Sequence, residues 1–260
     1  MTAESGLGAR HPRTVMVAVA VILMTLGCGL GWWTSVEGGP LPVDLWWNSV
    51  VTDVRLPLLL DAALVLDRLG AGVVGVYVIP LGAAVALAVS GRRWSAAYLL
   101  VALIVSALLV QALKHAFDRT RPDGLLVTVD EGSFPSGHTA NAATLAVVAV
   151  LLFPALWVRV VGVVAVALMA WSRAYLHVHW LSDTLGGVLI GSAVALLLAA
   201  AFWGPVERER RLRVTPCAGR PGPGRPPSRR GWARPWSRTG GRRVGSAPAS
   251  GRWSSARRGS

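Results

Sequence analysis

His179 and Asp183, four residues apart, are the smallest unit of this sequence that can do covalent chemistry. A carboxylate one helical turn from an imidazole can hold one ring nitrogen and leave the other as a nucleophile. Just upstream stands Ser172-Arg173, which adds a guanidinium, a planar fork matched to phosphoryl oxygens. A second block, Pro135-Ser136-Gly137-His138, reads as a turn leading straight into a helix. Such a turn leaves backbone N–H groups and the positive end of the helix dipole open to an anion. Gly137 lets the backbone approach an oxygen closely, and His138 can present a proton donor to the same point. Ser136 has an equal claim as an ordinary helix cap. In a third block Lys114 and Arg121 stand seven apart, one face of a helix if the helix continued, and Pro122 ends that possibility.

The shared requirement of these blocks is an anion. His177, His179 and Asp183 are close enough in sequence to suggest zinc, but Arg173, Arg121 and Lys114 would repel a cation, and phosphate fits better. No metal or other cofactor is expected. His177 lacks a carboxylate four positions on and reads as an interfacial polar residue. Arg119 joins Lys114 and Arg121 in the same cationic cluster.

The elements that must position these residues are apolar. With 53% hydrophobic and 15% charged residues and a mean hydropathy of +0.51, the chain is not an ordinary soluble globule. Six runs read as transmembrane helices: Thr14–Trp33, Ala71–Ser90, Trp94–Leu113, His138–Phe153, Trp157–Trp171 and Thr184–Trp203. The fourth and fifth are short. The first exceeds a signal-peptide core and ends in Trp32-Trp33, an aromatic anchor, without a small-x-small cleavage pattern. Leu41–Gly70 carries too many charges for a span and reads as an interfacial amphipathic segment. Cys28 and Cys217 are unlikely partners by position, so no disulfide framework is implied.

The expected architecture is therefore an all-α, six-transmembrane-helix bundle. It comprises an N-terminus (1–13), a membrane domain (14–203) and a disordered basic tail (204–260). The net charge of +13 resides wholly in the tail, which holds fifteen arginines against Glu207 and Glu209. Its Gly, Pro, Ser and Arg cannot bury enough surface to offset ordering entropy. Contact with anionic lipids is the expectation there, and no module for specific nucleic-acid recognition is visible. Arg10, Arg13, Arg92, Arg93, Arg159 and the tail fall on one side of six spans, so the positive-inside rule places both termini in the cytoplasm. The four helix ends that carry the candidate residues then face the extracytoplasmic side.

In these three blocks the chain resembles the type 2 phosphatidic acid phosphatase superfamily. Its signatures Lys-x6-Arg-Pro, Pro-Ser-Gly-His and Ser-Arg-x5-His-x3-Asp stand here as Lys114 to Pro122, Pro135 to His138 and Ser172 to Asp183, with every defining position kept. The resemblance covers about residues 70 to 203 and excludes the tail. It implies that His179 attacks phosphorus to form a phosphohistidine, that Asp183 orients it, and that His138 protonates the leaving group. Lys114, Arg121 and Arg173 would bind phosphoryl oxygens, with Ser136 and the Gly137 amide as further donors, and metal would not be required. The implied function is hydrolysis of a membrane lipid phosphate: undecaprenyl pyrophosphate, phosphatidic acid or phosphatidylglycerol phosphate. Two readings compete with it, a phosphotransferase using the same phosphohistidine and a non-catalytic lipid-phosphate binder or transporter. The intact His138, His179 and Asp183 disfavour the binder, which would need only the cations. A vanadate-dependent haloperoxidase shares the signatures, but those known are soluble.

Overall fold

Proline and glycine punctuation divides the apolar chain into helices, and the computed structural model describes residues 12–71, 73–127 and 132–214. All of these belong to one unit, Met1–Pro216, while a second, Cys217–Ser260, lies outside them. The expected contact of the tail with anionic lipids therefore falls outside the described residues. The helices are α1 (Pro12–Glu37), α2 (Pro42–Asp53), α3 (Pro57–Ala71), α4 (Ile79–Val89), α5 (Arg93–Phe117), α6 (Gly137–Leu152), α7 (Leu156–Tyr175) and α8 (Leu181–Val214). A π-helical turn, Val74–Val78, precedes α4, and among the described residues there is no strand.

Among the described residues four helices, α1, α5, α7 and α8, are long and apolar enough to cross a membrane. The count becomes five if α3 and Val74–Val89 form one span bent by 44°, and α6 is a shorter apolar helix. The outward faces carry large apolar side chains such as Ile22, Leu108 and Val163, as expected where lipid is the solvent.

Two expected boundaries move. Leu41–Gly70 resolves into α2 and α3, and the second span does not begin afresh at residue 71, because α3 runs up to a break within the bent pair. The charge count that argued against a span there included Asp67, which is turned toward Arg173 and not toward lipid. At the other end, the first eleven residues assigned to the tail are helical, since α8 continues through Pro205 to Val214.

That continuation is anchored. Glu209 accepts hydrogen bonds from the backbone N–H groups of Trp94 and Ser95, at 2.6 and 3.0 Å, and from the Ser95 hydroxyl at 3.0 Å. A carboxylate thus satisfies the orphan donors at the start of α5 and meets its dipole. At the same end, Arg92 donates to the Leu152 carbonyl at the close of α6 and stacks on Phe153.

Small residues let the helices approach closely. A Cβ on Gly191 would lie 2.3 Å from the Ala140 carbonyl oxygen, and one on Gly187 would lie 2.5 Å from that of Ser136. The Thr144 hydroxyl, within 3.0 Å of Ser106 Oγ, 2.8 Å of the Ala140 carbonyl and 3.2 Å of the Gly191 carbonyl, ties α5, α6 and α8 together. The Tyr98 hydroxyl donates to the Ala195 carbonyl, joining α5 to α8 again. The turn before α6 is therefore locked against the first turns of α8.

Replacing Glu209 with Ala removes the cap of α5 and is expected to cost about 1–2 kcal/mol, read as a lower thermal midpoint in detergent. An unchanged midpoint would show that the α8 extension contributes nothing to the bundle.

Candidate active site

α5 ends at Phe117 because Asp118 adopts the left-handed conformation, φ 40°, and returns its N–H to the Lys114 carbonyl. Lys114 thus sits on the last turn of α5, and the chain leaves the helix four residues before Pro122. The loop then curls back. Arg121 donates to the Val178 carbonyl and, at 2.9 Å, to that of Gly132, with Nη1 3.5 Å from His179 Nε2. As the position of Pro122 implies, Lys114 and Arg121 do not share a helical face, and this loop brings Arg121 back.

His179 lies in the turn between α7 and α8, not on α8 itself. α7 closes with His177 in the left-handed region, φ 57°, and the N–H groups of Leu176, His177 and Val178 return to carbonyls of the last helical turn. His177 therefore acts as a turn residue: its ring nitrogens face the Asp123 carbonyl at 3.3 Å and Arg55 at 3.5 Å. Burial, with Arg55 adding to it and the Asp123 carbonyl opposing it, lowers its pKa.

Asp183 is the third residue of α8 and reaches back to the Trp180 N–H at 2.8 Å, as a capping carboxylate does. This cap, more than any helical face, sets the distance between Asp183 Oδ2 and His179 Nδ1 at 3.6 Å. Nδ1 is buried with no hydrogen-bond partner among the described residues. A guanidinium can only donate, so the arrangement fits an unprotonated Nε2 facing Arg121 and an Nδ1–H facing Asp183. Burial pushes the His179 pKa down to about 4; Asp183 pulls it upward, and Arg121 and Lys114 push it further down. The imidazole is thereby kept neutral, the form required of a nucleophile.

A cavity of about 650 Å³ opens in front of His179. Lys114, Arg121, Gly137, His138, Arg173 and His179 all line it, so residues spread over three sequence blocks meet in one place. Asp183 stands behind His179, away from the cavity wall. Ser136 also lies off that wall: it is fully buried, and its hydroxyl accepts from Thr139 at 3.1 Å. Its side chain makes no capping bond to α6 either. A second, mostly apolar cavity of about 510 Å³ runs between α3, α6 and α7, with Ile79 at the start of α4, and shares Gly70, His138 and Asn141 with the first.

Arg119 departs from the expected cationic cluster. It is 6% exposed and spends its guanidinium on carboxylates: Nη1 on Asp183 Oδ1 (2.5 Å) and Ser182 Oγ (2.7 Å), Nη2 on Asp44 Oδ2 (2.9 Å). Asp44 in turn accepts from the N–H of Leu41 at 3.0 Å and from the N–H and hydroxyl of Ser182 at 2.8 and 2.7 Å. Ser133 donates to Asp183 Oδ2 at 2.5 Å. Asp44 and Ser133 carry no spacing signal relative to the motifs, and sequence reading missed both. The only hint for Asp44 is its position two residues after Pro42, where a capping carboxylate belongs.

The sequence profile of the PAP2 superfamily matches residues 95–206. A decaprenylphosphoryl-5-phosphoribose phosphatase from Mycobacterium tuberculosis is 31% identical over 163 residues, covering 61% of this chain and 89% of that protein. The chain belongs to the PAP2 superfamily. Another member, the phosphatidylglycerophosphatase B of Bacillus subtilis, is 35% identical over 132 residues, 47% of this chain and 63% of that one. This chain spans 54 to 63% of the length of three such relatives, the B. subtilis protein among them. A crystal structure of a transmembrane PAP2-type phosphatidylglycerolphosphate phosphatase from B. subtilis superposes with a TM-score of 0.59 and 28% identity, over 75% of this chain and 98% of that one. With its apolar helices, the chain is a multi-pass membrane protein of the PAP2 superfamily.

Between about pH 4 and 6.5 the unfolded chain binds a proton that folded His179 refuses, so this residue's contribution to stability is complete above 6.5 and fades as pH falls toward 4. His179→Gln should flatten the fall of the thermal midpoint between pH 7.5 and 4.5 relative to wild type. Parallel curves would disprove the depressed pKa.

Proposed function

We propose that the chain is an integral membrane phosphatase that hydrolyses a lipid phosphate, monoester or diphosphate, through a phosphohistidine on His179. The observation that carries this reading is the junction of the two cavities. A pocket bearing Lys114, Arg121, Arg173 and two imidazoles opens, at Gly70, His138 and Asn141, onto an apolar groove. A molecule with a phosphoryl head and a hydrocarbon tail has the matching chemistry. The names of relatives, which include phosphatidylglycerophosphatase and decaprenylphosphoryl-5-phosphoribose phosphatase, support the same class and leave undecaprenyl pyrophosphate, phosphatidic acid and phosphatidylglycerol phosphate as candidate substrates.

In the proposed reaction Lys114, Arg121 and Arg173 hold the non-bridging oxygens, over which charge spreads in the transition state. Nε2 of His179 forms a bond to phosphorus as the bond to the leaving oxygen breaks, and His138 gives that oxygen its proton. The imidazole becomes cationic, and Asp183 steadies the proton on Nδ1. His138 then takes a proton from water as the water oxygen attacks phosphorus and the P–N bond breaks. Inorganic phosphate and neutral His179 result. Every step is carried by side chains of the pocket, so the proposed chemistry needs no metal.

The proposed topology has six spans, counting the bent α3–α4 pair and α6. Arg13, Arg92, Arg93, Arg159 and the arginines ending α8 lie at the bundle end opposite the cavity, which supports cytoplasmic termini and an extracytoplasmic site.

Purified protein in detergent with EDTA should release phosphate from a panel of lipid phosphates. His179→Ala should abolish release, and His177→Asn, which suits the left-handed turn, should retain it. Release by His179→Ala equal to wild type would remove the nucleophile, and loss in EDTA restored by a divalent metal would remove the metal-free mechanism. In intact cells a membrane-impermeant thiol reagent should label a cysteine placed at Asp123; protection until lysis would invert the topology.

A further inference from the structure

Asp44, on α2, is a buried carboxylate with no part in the proposed reaction, and it lies outside the three motif blocks. Its Oδ2 stands 2.9 Å from Arg119 Nη2, while Nη1 of the same guanidinium stands 2.5 Å from Asp183 Oδ1. The other oxygen of Asp183 faces His179 Nδ1. Asp44, Arg119, Asp183 and His179 thus form one chain of contacts, with negative, positive and negative charges leading up to the imidazole. All four are buried, where charges are screened much less than in water.

On its other side the ring meets cations. Arg121, from the loop after α5, and Lys114, from α5, both act on it, and Arg173 from α7 and the imidazole of His138 from α6 line the same cavity. Asp67, which α3 brings to that cavity, is taken up by Arg173. When Nε2 bonds to phosphorus and the bond to the leaving oxygen breaks, Nδ1 keeps its proton and the ring becomes cationic. Asp183 is the group that meets this new charge, yet the guanidinium on its far oxygen opposes it. Arg119 and Asp183 by themselves would present a neutral pair to the ring, and opposite charges so close together cancel most of each other's field. Asp44 restores a single net negative charge behind His179.

We propose that Asp44 is a positioning residue of the phosphoryl-transfer site that acts through Arg119, cancelling the guanidinium's charge so that Asp183 presents its full negative charge to His179 as the ring turns cationic. No bond to Asp44 forms or breaks and no proton reaches it. The proposal deepens the reading of His179 as the nucleophile of a lipid phosphatase and rests on it.

The test reads the proton affinity of His179. In purified full-length protein with isotope-labelled histidine, in an uncharged detergent, ring signals are followed by NMR against pH, and those of His179 are the ones lost in His179→Gln. The wild-type midpoint, about pH 4, should fall in Asp44→Asn by about one pH unit or more, a loss of affinity of about tenfold. In Asp44→Asn/Arg119→Gln, which again leaves one net negative charge, it should return to the wild-type value or above. Phosphate release from the lipid panel in EDTA should follow the same order: kcat lower by about tenfold or more in Asp44→Asn with KM nearly unchanged, and partly recovered in the double variant. A carboxylate that merely braces the fold predicts the opposite. Loosening the site admits water and moves the midpoint up toward about 6.5, and removing the second half of the bridge slows the enzyme further. An upward or unmoved midpoint in Asp44→Asn, or a double variant no faster than the single, overturns the proposal. If Asp44→Asn does not fold, kcat of the double variant decides: above about a tenth of wild type it sustains the proposal, and below that it overturns it. If wild type releases no phosphate from any lipid of the panel, the phosphatase reading falls and takes the proposal with it. If wild type releases phosphate through His179 while Asp44→Asn moves neither midpoint nor kcat, the role of Asp44 alone falls.

Discussion

The guanidinium of Arg119, clamped between Asp44 and Asp183, is the interaction on which the geometry of the site rests. All three side chains are buried, and moving such charges out of water costs several kcal/mol each unless every lone pair and proton is met. The two carboxylates come close to that condition because each is the third residue of a helix and caps its start, Asp44 for α2 and Asp183 for α8. Ser182 and Ser133 supply most of the remaining donors. Deleting the guanidinium would strand two buried anions, a loss of about 3–5 kcal/mol by the measure of other buried pairs. The cluster also carries one more negative than positive charge, and it faces the imidazole of His179.

From this clamp the rest of the site takes its coordinates. Asp44 fixes α2 to the start of α8, Arg119 fixes the loop after α5 to both, and Trp180 donates to the Thr120 carbonyl across the same gap. Gly187 and Gly191 let the turn that carries His138 lie directly on α8. At the far end Glu209 joins α8 to the start of α5, whose last turn presents Lys114. Two long helices bound at both ends therefore hold His179, Asp183 and Lys114 in register.

The three motif blocks and most apolar helices were legible in the sequence, because hydropathy and fixed spacing are local properties. Lys114, Arg121, Gly137, His138, Arg173 and His179 were found by type and spacing and do share one cavity. What escaped was decided by partners distant in the chain. Arg119 reads like its cationic neighbours until Asp44, seventy-five residues away, is seen beside it. Asp67 counted as a charge that forbids a span, since sequence cannot show that it turns inward to Arg173. Glu209 sits in a stretch whose composition denies structure, yet the helix persists because α5 offers it unsatisfied N–H groups. Ser136 shows the converse: its place in a motif made it a candidate donor, while its side chain is buried off the cavity wall and accepts from Thr139.

The brevity of α6 has its own consequence. Sixteen residues span about 24 Å, against about 30 Å for the hydrocarbon layer, and the second of them is His138. Either the leaflet dimples around this helix or the cavity beside His138 opens beneath the level of the surrounding headgroups. Acyl length sets that depth, so the surrounding lipid acts as an adjustable wall of the cavity, deeper in a thicker membrane.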